Sequence, residues 1–150
     1  RINMPIKDTK IMTSKGVRMM MDRAISKAKK LGIAATIAIV DAGGHLLMLE
    51  RMEGGRFHTV HSSTTKAATA ASNKRPATSK GAQGQDLDVL HALGLSLAAG
   101  PGNWTPMEGG YPILMENHCI GGIGVSGGDW KQDETIAKAA LAAIGAIPFS

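Results

Sequence analysis

Residues 35–51 read ATIAIVDAGGHLLMLER, and this stretch predicts a β-hairpin. Residues 35–40 form a nearly continuous apolar run, which is typical of a strand that is buried on both faces. The segment Asp41-Ala42-Gly43-Gly44 predicts a tight turn, because Asp and Gly tolerate a positive φ. Residues 45–51 then return as a second strand, which ends before the Glu53-Gly54-Gly55 segment.

A second hairpin is predicted nearer the end of the sequence. Residues 111–115 and 118–126 have the character of strands, and Glu116-Asn117 between them predicts a tight turn. The later strand is unusually rich in glycine, which indicates the close approach of another backbone or of a helix. Because a tight turn joins the two strands of each hairpin, each pair is antiparallel.

Four helices are predicted around these strands from apolar periodicity and capping signals. The first spans residues 14–31 and the second runs from residue 58 to about 73. A short third helix carries four leucines before Gly100, and a last helix follows residue 129. The expected caps, in chain order, are Thr13 or Ser14, Asp86, and Asp129 with Gln132 as its capping-box partner. The pattern predicts an α+β fold in which helices pack on a sheet.

Length and composition narrow the function classes. The 150 residues support one domain, with residues 1–13 expected as an N-terminal arm and residues 14–150 as the folded domain. Lys and Arg number 17 against 12 Asp and Glu, a balance that favours a small anionic ligand. Nucleic acid is not an expected partner, because aromatic residues, on which single strands stack, make up only 3%.

The sequence also bears on membrane insertion, cysteine chemistry and location. No apolar run reaches the roughly 20 residues that a membrane-spanning helix needs. The single cysteine, Cys119, excludes an internal disulfide and a Cys-x-x-Cys zinc site. The sequence begins Arg1-Ile2-Asn3 rather than with Met, so it leaves both a cytoplasmic and an exported location open.

Residues 122–127 formally match the G-x-G-x-x-G pattern of dinucleotide-binding proteins. A nicotinamide site is nevertheless not expected, because no second parallel strand with a ribose-binding acid can follow before residue 150. Two interpretations remain: the glycines admit a close neighbour, or an anion binds near Ser126 and the N-terminus of the last helix.

His58 and His61 lie three residues apart at the start of the predicted second helix, a spacing that puts them on one side of it. Either neutral imidazole could ligate a metal or haem iron. The alternative is a solvated helix end.

Arg51 and Lys66 are the expected anion-binding residues. Arg51 ends a strand before a glycine loop, and its planar guanidinium suits a carboxylate. Lys66 is the only charged residue in a small-residue helix, where it could bind an anion or act as a nucleophilic amine. The alternatives are a salt bridge at the rim for Arg51 and solvent exposure for Lys66. For an enzyme, Glu108 and Tyr111 are further candidates for proton transfer.

Several spaced motifs together resemble the GlcG/HbpS family, which includes haem-binding proteins and the C-terminal domain of PduO-type corrinoid proteins. The resemblance runs from about residue 14 to residue 145. The motifs, in order, are VDAGGHL at 40–46, ERMEG at 50–54, KAATA at 66–70, GGYPI at 109–113, and IGGIGVSGG at 120–128 with Gln132-Asp133 after it.

The resemblance implies an α-β-α sandwich with a five-stranded antiparallel sheet, similar to profilin, with the fifth strand near Trp104 to Glu108. It also implies homo-oligomers, often octamers, with ligand pockets near subunit contacts. Characterised relatives bind haem, and some are linked to haem degradation or redox sensing. The segment Phe57-His58-Thr59-Val60-His61 departs from the usual family pattern, so it is expected to supply a haem ligand or to mark a different small-molecule pocket.

Two functions remain open at this point. The first is an oligomeric haem-binding protein, with Arg51 or Lys66 contacting the propionates. The second is an enzyme acting on a small organic acid by tautomerisation, deamination or dehalogenation in an inter-subunit pocket. The small residues of 67–71 and 121–128 are the expected subunit contacts.

Overall fold

A computed structural model of the chain describes residues 4–81 and 83–146; the outermost parts of the predicted arm and domain lie outside these described residues. The elements are α1 (Ser14–Lys30), β1 (Thr36–Asp41), β2 (Leu46–Arg51), α2 (Thr59–Asn73), α3 (Val89–Ala99), β3 (Gly110–Met115), β4 (His118–Ser126) and α4 (Trp130–Ala143). The sheet order is β2-β1-β4-β3, and every neighbouring pair is antiparallel. Both predicted hairpins and the α+β class are therefore confirmed.

The helices form a layer on each face of the sheet. Strand β1 alternates between the two layers, as a strand buried on both faces must. Ala38 and Val40 pack with Ala67 and Ala71 of α2. Ile37 and Ile39 belong to the larger core on the opposite face, which α1 and α4 cover.

The capping signals place α1 and α4 correctly. The Thr13 hydroxyl accepts a hydrogen bond from the Gly16 N–H, so Thr13 caps α1. Asp129 and Gln132 form the expected capping box at α4. The cap of α3 was predicted two residues too early, because Asp88 is the residue that accepts from the His91 N–H. Asp86 instead pairs with Lys80 at 2.8 Å.

The glycines of β4 bring α2 against the sheet, backbone to backbone. A Cβ placed on Gly124 would lie 1.9 Å from the Ser63 carbonyl oxygen, and one on Gly122 would lie 2.2 Å from that of Ala67. The predicted close approach is confirmed. The prediction that these small residues form subunit contacts is wrong for residues 67, 70, 71 and 121–126, which are buried inside the chain.

The prediction of a fifth strand at Trp104 to Glu108 is wrong: within the described residues the sheet has four strands. The Thr105 N–H donates to the Thr69 hydroxyl of α2 at 3.0 Å instead of to a strand. Pro106 has no N–H to contribute to a ladder. This segment is therefore tied to the helical layer rather than to the sheet edge.

Helix α3 lies outside the three layers. Its sequence, VLHALGLSLAA, contains no charged residue, yet none of its residues is buried. Leu90 is 80% exposed and Leu97 is 72% exposed. None of the helices within the described residues is long and apolar enough to cross a membrane.

Candidate functional site

One end of the sheet brings together Arg51, Ser126 and the start of α2. Thr36 begins β1 and pairs with Arg51 of β2 on one side and with Ser126 of β4 on the other. Cross-strand partners project to the same face, so all three face the α2 layer. His58 lies at the same end, because it immediately precedes α2 as its N-cap residue.

Hydrogen bonds between hydroxyl groups connect the start of α2 to this end of the sheet. The Thr59 hydroxyl donates to the Arg56 carbonyl at 2.5 Å, so the Thr36 hydroxyl must donate to Thr59, at 2.7 Å. Ser62 donates to the Ser126 hydroxyl at 2.8 Å. Ser126 thus lies at this end of the sheet, where its hydroxyl already accepts a hydrogen bond from Ser62. Sequence reasoning missed Thr36, although a threonine in an otherwise apolar strand is a signal of a buried polar contact.

Both histidines of the predicted ligand pair lie on the surface at this end. His58 and His61 are exposed, and His58 lacks a side-chain capping hydrogen bond. Phe57 is 76% exposed, and its ring meets the His58 imidazole edge-on at 6.0 Å between centroids. Arg51 is also exposed. The exposed group Arg51, Phe57, His58 and His61 is called the histidine surface below.

Lys66 lies in a different environment, buried between the layers. Its Nζ donates to the Val125 carbonyl at 2.8 Å and forms a salt bridge with the Asp133 carboxylate of α4 at 3.3 Å. Gly109, at φ +108°, leaves room for the Lys66 side chain, because a Cβ on Gly109 would lie 3.1 Å from the Lys66 Nζ. The alternative of a solvent-exposed Lys66 is therefore wrong, and its amine already holds an internal carboxylate.

The electrostatics of this pair are dominated by burial. Burial lowers the pKa of Lys66, while the charges of Asp133 and then Glu108 act in the opposite direction. Burial likewise raises the pKa of Asp133 against the attraction of Lys66. Glu108 is half-buried, and its charge acts on Lys66, so these two candidates lie near each other. Asp133 was not singled out, although a lone lysine among small buried residues requires an acidic partner.

Tyr111 does not join these groups. It pairs with Ile123 on the face that α1 and α4 cover, opposite the face that carries Ser126. The Lys138 Nζ lies 5.6 Å from the centroid of its ring. Burial and the nearby Glu134 raise the pKa of Tyr111 well above its usual range, which disfavours a role in proton transfer.

The loop after β4 already uses two of its N–H donors within the chain. The Gly128 N–H donates to Asp133 at 2.9 Å, and the Gln132 N–H donates to Asp129 at 2.8 Å. Two of the N–H groups around the start of α4 are therefore already bonded to carboxylates of the chain itself. Across residues 4–81 and 83–146, no three His, Cys, Asp or Glu side chains gather as a metal site.

The fold and this site define a class: a small single-domain α+β protein with a four-stranded antiparallel sheet between helical layers and ionisable groups at one sheet end. A family model described as "Haem degrading protein HbpS-like" matches residues 12–142. The chain belongs to this HbpS-like family, as its motifs indicated.

Individual relatives agree with this assignment. The corrinoid adenosyltransferase PduO of Citrobacter freundii is 31% identical over 121 residues, which are 81% of this chain and 35% of PduO. This chain thus spans about a third of that relative. GlcG of Escherichia coli K12 is 33% identical over 100 residues, 67% of this chain and 69% of GlcG. The crystal structure of a PduOC–haem complex has a TM-score of 0.79 at 26% identity and covers 94% of this chain and 100% of its own.

Proposed function

We propose that this protein is a homo-oligomeric haem-binding protein. The observation that carries the proposal is the similarity, over 94% of this chain, to a domain whose structure is that of a complex with haem. The family description, which names haem, supports the same cofactor. Haem supplies an iron centre whose redox behaviour is set by its protein ligands.

The donor chemistry of the histidine surface fits this cofactor. His58 and His61 are exposed imidazoles, either of which is a suitable axial ligand. Phe57 offers an exposed ring for a flat apolar ligand, and Arg51 offers a guanidinium for a propionate. Lys66 is not assigned to the propionates, because Asp133 already occupies its amine. We propose that a second subunit covers this otherwise open surface.

Haem titration tests the assignment of the ligand. We expect the parent chain to develop a Soret band, and we expect His58→Ala or His61→Ala to shift its maximum and weaken binding. Arg51→Ala should weaken binding by about tenfold or more, since a charge-assisted hydrogen bond contributes roughly 1.5–3 kcal/mol. His45→Ala is the matched control, because His45 is an exposed imidazole in the turn at the opposite end of β1. An unchanged spectrum in the double variant His58→Ala/His61→Ala would exclude the histidine surface.

Helix α3 is the proposed subunit contact. A helix that is apolar on all sides is normally buried, yet Val89, Leu90 and Leu97 are each at least 72% exposed. The absence of charge on α3 suits an equally uncharged surface, and a second α3 provides one. Burial of each large apolar side chain contributes about 1.5–3 kcal/mol. Together, the exposed ones on α3 can offset an association cost of about 4–15 kcal/mol; they are Val89, Leu90, Leu93, Leu95 and Leu97. The octamer implied by the family resemblance is the state that we propose.

Light scattering at micromolar concentration tests this contact. We expect the parent to exceed the 15.6 kDa of one chain, and Leu90→Lys/Leu97→Lys to reduce it to that mass, because the contact would bury two charges. Leu46→Lys is the control, since Leu46 is 52% exposed on β2. A parent of one-chain mass contradicts assembly, and an assembled double variant contradicts the use of α3.

A second candidate is an enzyme that acts on a small organic acid. The observation that favours it is the buried Lys66, whose lowered pKa and neighbouring Glu108 are features of a proton-transfer site. In this case Lys66 would accept a proton as a neutral amine, and Glu108 would return one. The haem titration separates the two candidates: a parent chain without a Soret band disfavours the first and leaves the second.

A further inference from the structure

A separate cavity of about 280 Å³ lies beneath α3, away from the histidine surface. Its walls come from the end of α2, the segment 79–87, α3 and Trp104, and its side chains include Arg75, Leu87, His91 and Leu95. The volume falls just below the range of pockets for drug-sized ligands. The cavity therefore suits a molecule of about one ring rather than a tetrapyrrole.

Hydrogen bonds hold the walls of this cavity in place. The Gly81 N–H donates to the Gln85 carbonyl at 2.7 Å, and the Leu87 N–H donates to the Ser79 carbonyl at 2.9 Å. These bonds pair residues 79–81 with residues 85–87. Arg75 joins this segment to α2, because its Nη1 donates to the Gly81 carbonyl at 2.9 Å. The guanidinium is thus positioned before any ligand arrives.

Arg75 places a positive charge on this wall of the cavity. Within residues 4–81 and 83–146, Arg75 forms no salt bridge with an acidic side chain, whereas the neighbouring Lys80 is paired with Asp86. One guanidinium nitrogen is engaged by Gly81, so the Nε and Nη2 edge remains for an oxygen pair. A planar carboxylate matches that edge bidentately.

The walls of the cavity away from the Arg75 guanidinium are mainly apolar. Leu87 and Trp104 are half-buried around the cavity, and Leu95, 38% exposed, completes this wall. An indole ring and two leucines favour a flat apolar group, and an aromatic ring gains from offset or edge contacts with Trp104. We propose that this cavity binds a single-ring aromatic monocarboxylate, with its carboxylate on Arg75 and its ring against Trp104. The proposal is independent of haem binding.

Tryptophan fluorescence tests this site. The chain has two tryptophans, so Trp130→Phe leaves Trp104 as the single reporter. In this background we expect benzoate to change the Trp104 emission saturably, and benzyl alcohol, which has the ring without the charge, to bind at least about tenfold more weakly. Light scattering at each benzoate concentration separates binding from a change in assembly through α3.

Substitutions at Arg75 assign the carboxylate contact. Arg75→Ala should weaken benzoate binding about tenfold or more and leave benzyl alcohol binding nearly unchanged. Arg75→Lys keeps the charge but not the planar fork, so it should bind benzoate with intermediate affinity even if the alanine variant folds poorly. Lys74→Asn is the matched control: it removes one adjacent, exposed charge, and asparagine tolerates the positive φ of residue 74.

Three results would overturn the proposal. The first is no saturable change in Trp104 emission up to about 10 mM benzoate, which corresponds to negligible affinity. The second is equal weakening by Lys74→Asn and Arg75→Ala, which would indicate net charge rather than a site. The third is parental affinity for benzoate in both Arg75→Ala and Arg75→Lys.

Discussion

Lys66→Ala is expected to lower the free energy of unfolding by about 3–5 kcal/mol, because it leaves the buried Asp133 carboxylate without its cation. The Val125 carbonyl also loses the donor that reaches it at 2.8 Å. Urea unfolding at one fixed protein concentration measures the change, since assembly makes apparent stability depend on concentration. Lys15→Ala is the control: Lys15 is exposed, and the substitution should change stability by less than about 0.5 kcal/mol.

A compensated double variant distinguishes a broken ion pair from a simple loss of volume. Lys66→Met/Asp133→Leu removes both charges and keeps apolar bulk in the same space. We expect it to recover much of the stability that Lys66→Ala loses, because apolar replacement of a buried pair is often neutral or favourable. Loss of less than about 1 kcal/mol in Lys66→Ala would contradict a structural role and would favour Lys66 as a functional amine.

Gly124→Ala is expected to destabilise the chain by at least about 3 kcal/mol, at the upper end of the usual cost of overpacking. The new Cβ would lie 1.9 Å from the Ser63 carbonyl oxygen and 2.6 Å from the Ala67 nitrogen. Both are backbone atoms of α2, so no side-chain rotation relieves the contact. The helix would have to move away from β4, and the hydroxyl contacts at its start would move with it.

Gly94→Ala is the same chemical change as Gly124→Ala, but we expect it to stabilise the chain. Gly94 lies in the middle of α3, and a Cβ there meets nothing within 4 Å. Alanine favours helix over glycine, so this variant should gain about 0.5–1 kcal/mol. Thermal melting of the two variants beside the parent measures both effects. Equal melting temperatures for Gly124→Ala and the parent would contradict the close packing of α2 on β4.

Local chemistry made much of the fold predictable. The turn at Asp41 to Gly44, the cap at Thr13 and the capping box at Asp129 each depend on residues close in sequence, so the sequence predicts them well. The glycines of β4 predicted a close neighbour because only the lack of a side chain admits one. Which backbone approached was not predictable from residues 118–126 alone.

The site required contacts between distant parts of the chain. Sequence order suggested an anion pocket shared by Arg51 and Lys66. In the structure Arg51 is exposed, whereas Lys66 forms a salt bridge with Asp133, which lies 67 residues away in the sequence. Tyr111 was a candidate for proton transfer and Ser126 a candidate for anion binding. The alternation of side chains along paired strands puts them on opposite faces of the sheet, and that depends on the register of β3 against β4.

The sequence by itself determined the two hairpins, the caps of α1 and α4, and the family, because turns, caps and motifs are encoded by neighbouring residues. Only the tertiary structure decided that the sheet has four strands in the described residues, that Lys66 is buried and that α3 is exposed. The physical reason is that burial and hydrogen-bond partners depend on which distant segments meet. The apolar pattern of α3 is the same whether a core or a second subunit covers it. The charge of Lys66 is paired only because its side chain reaches Val125 of β4 and Asp133 of α4.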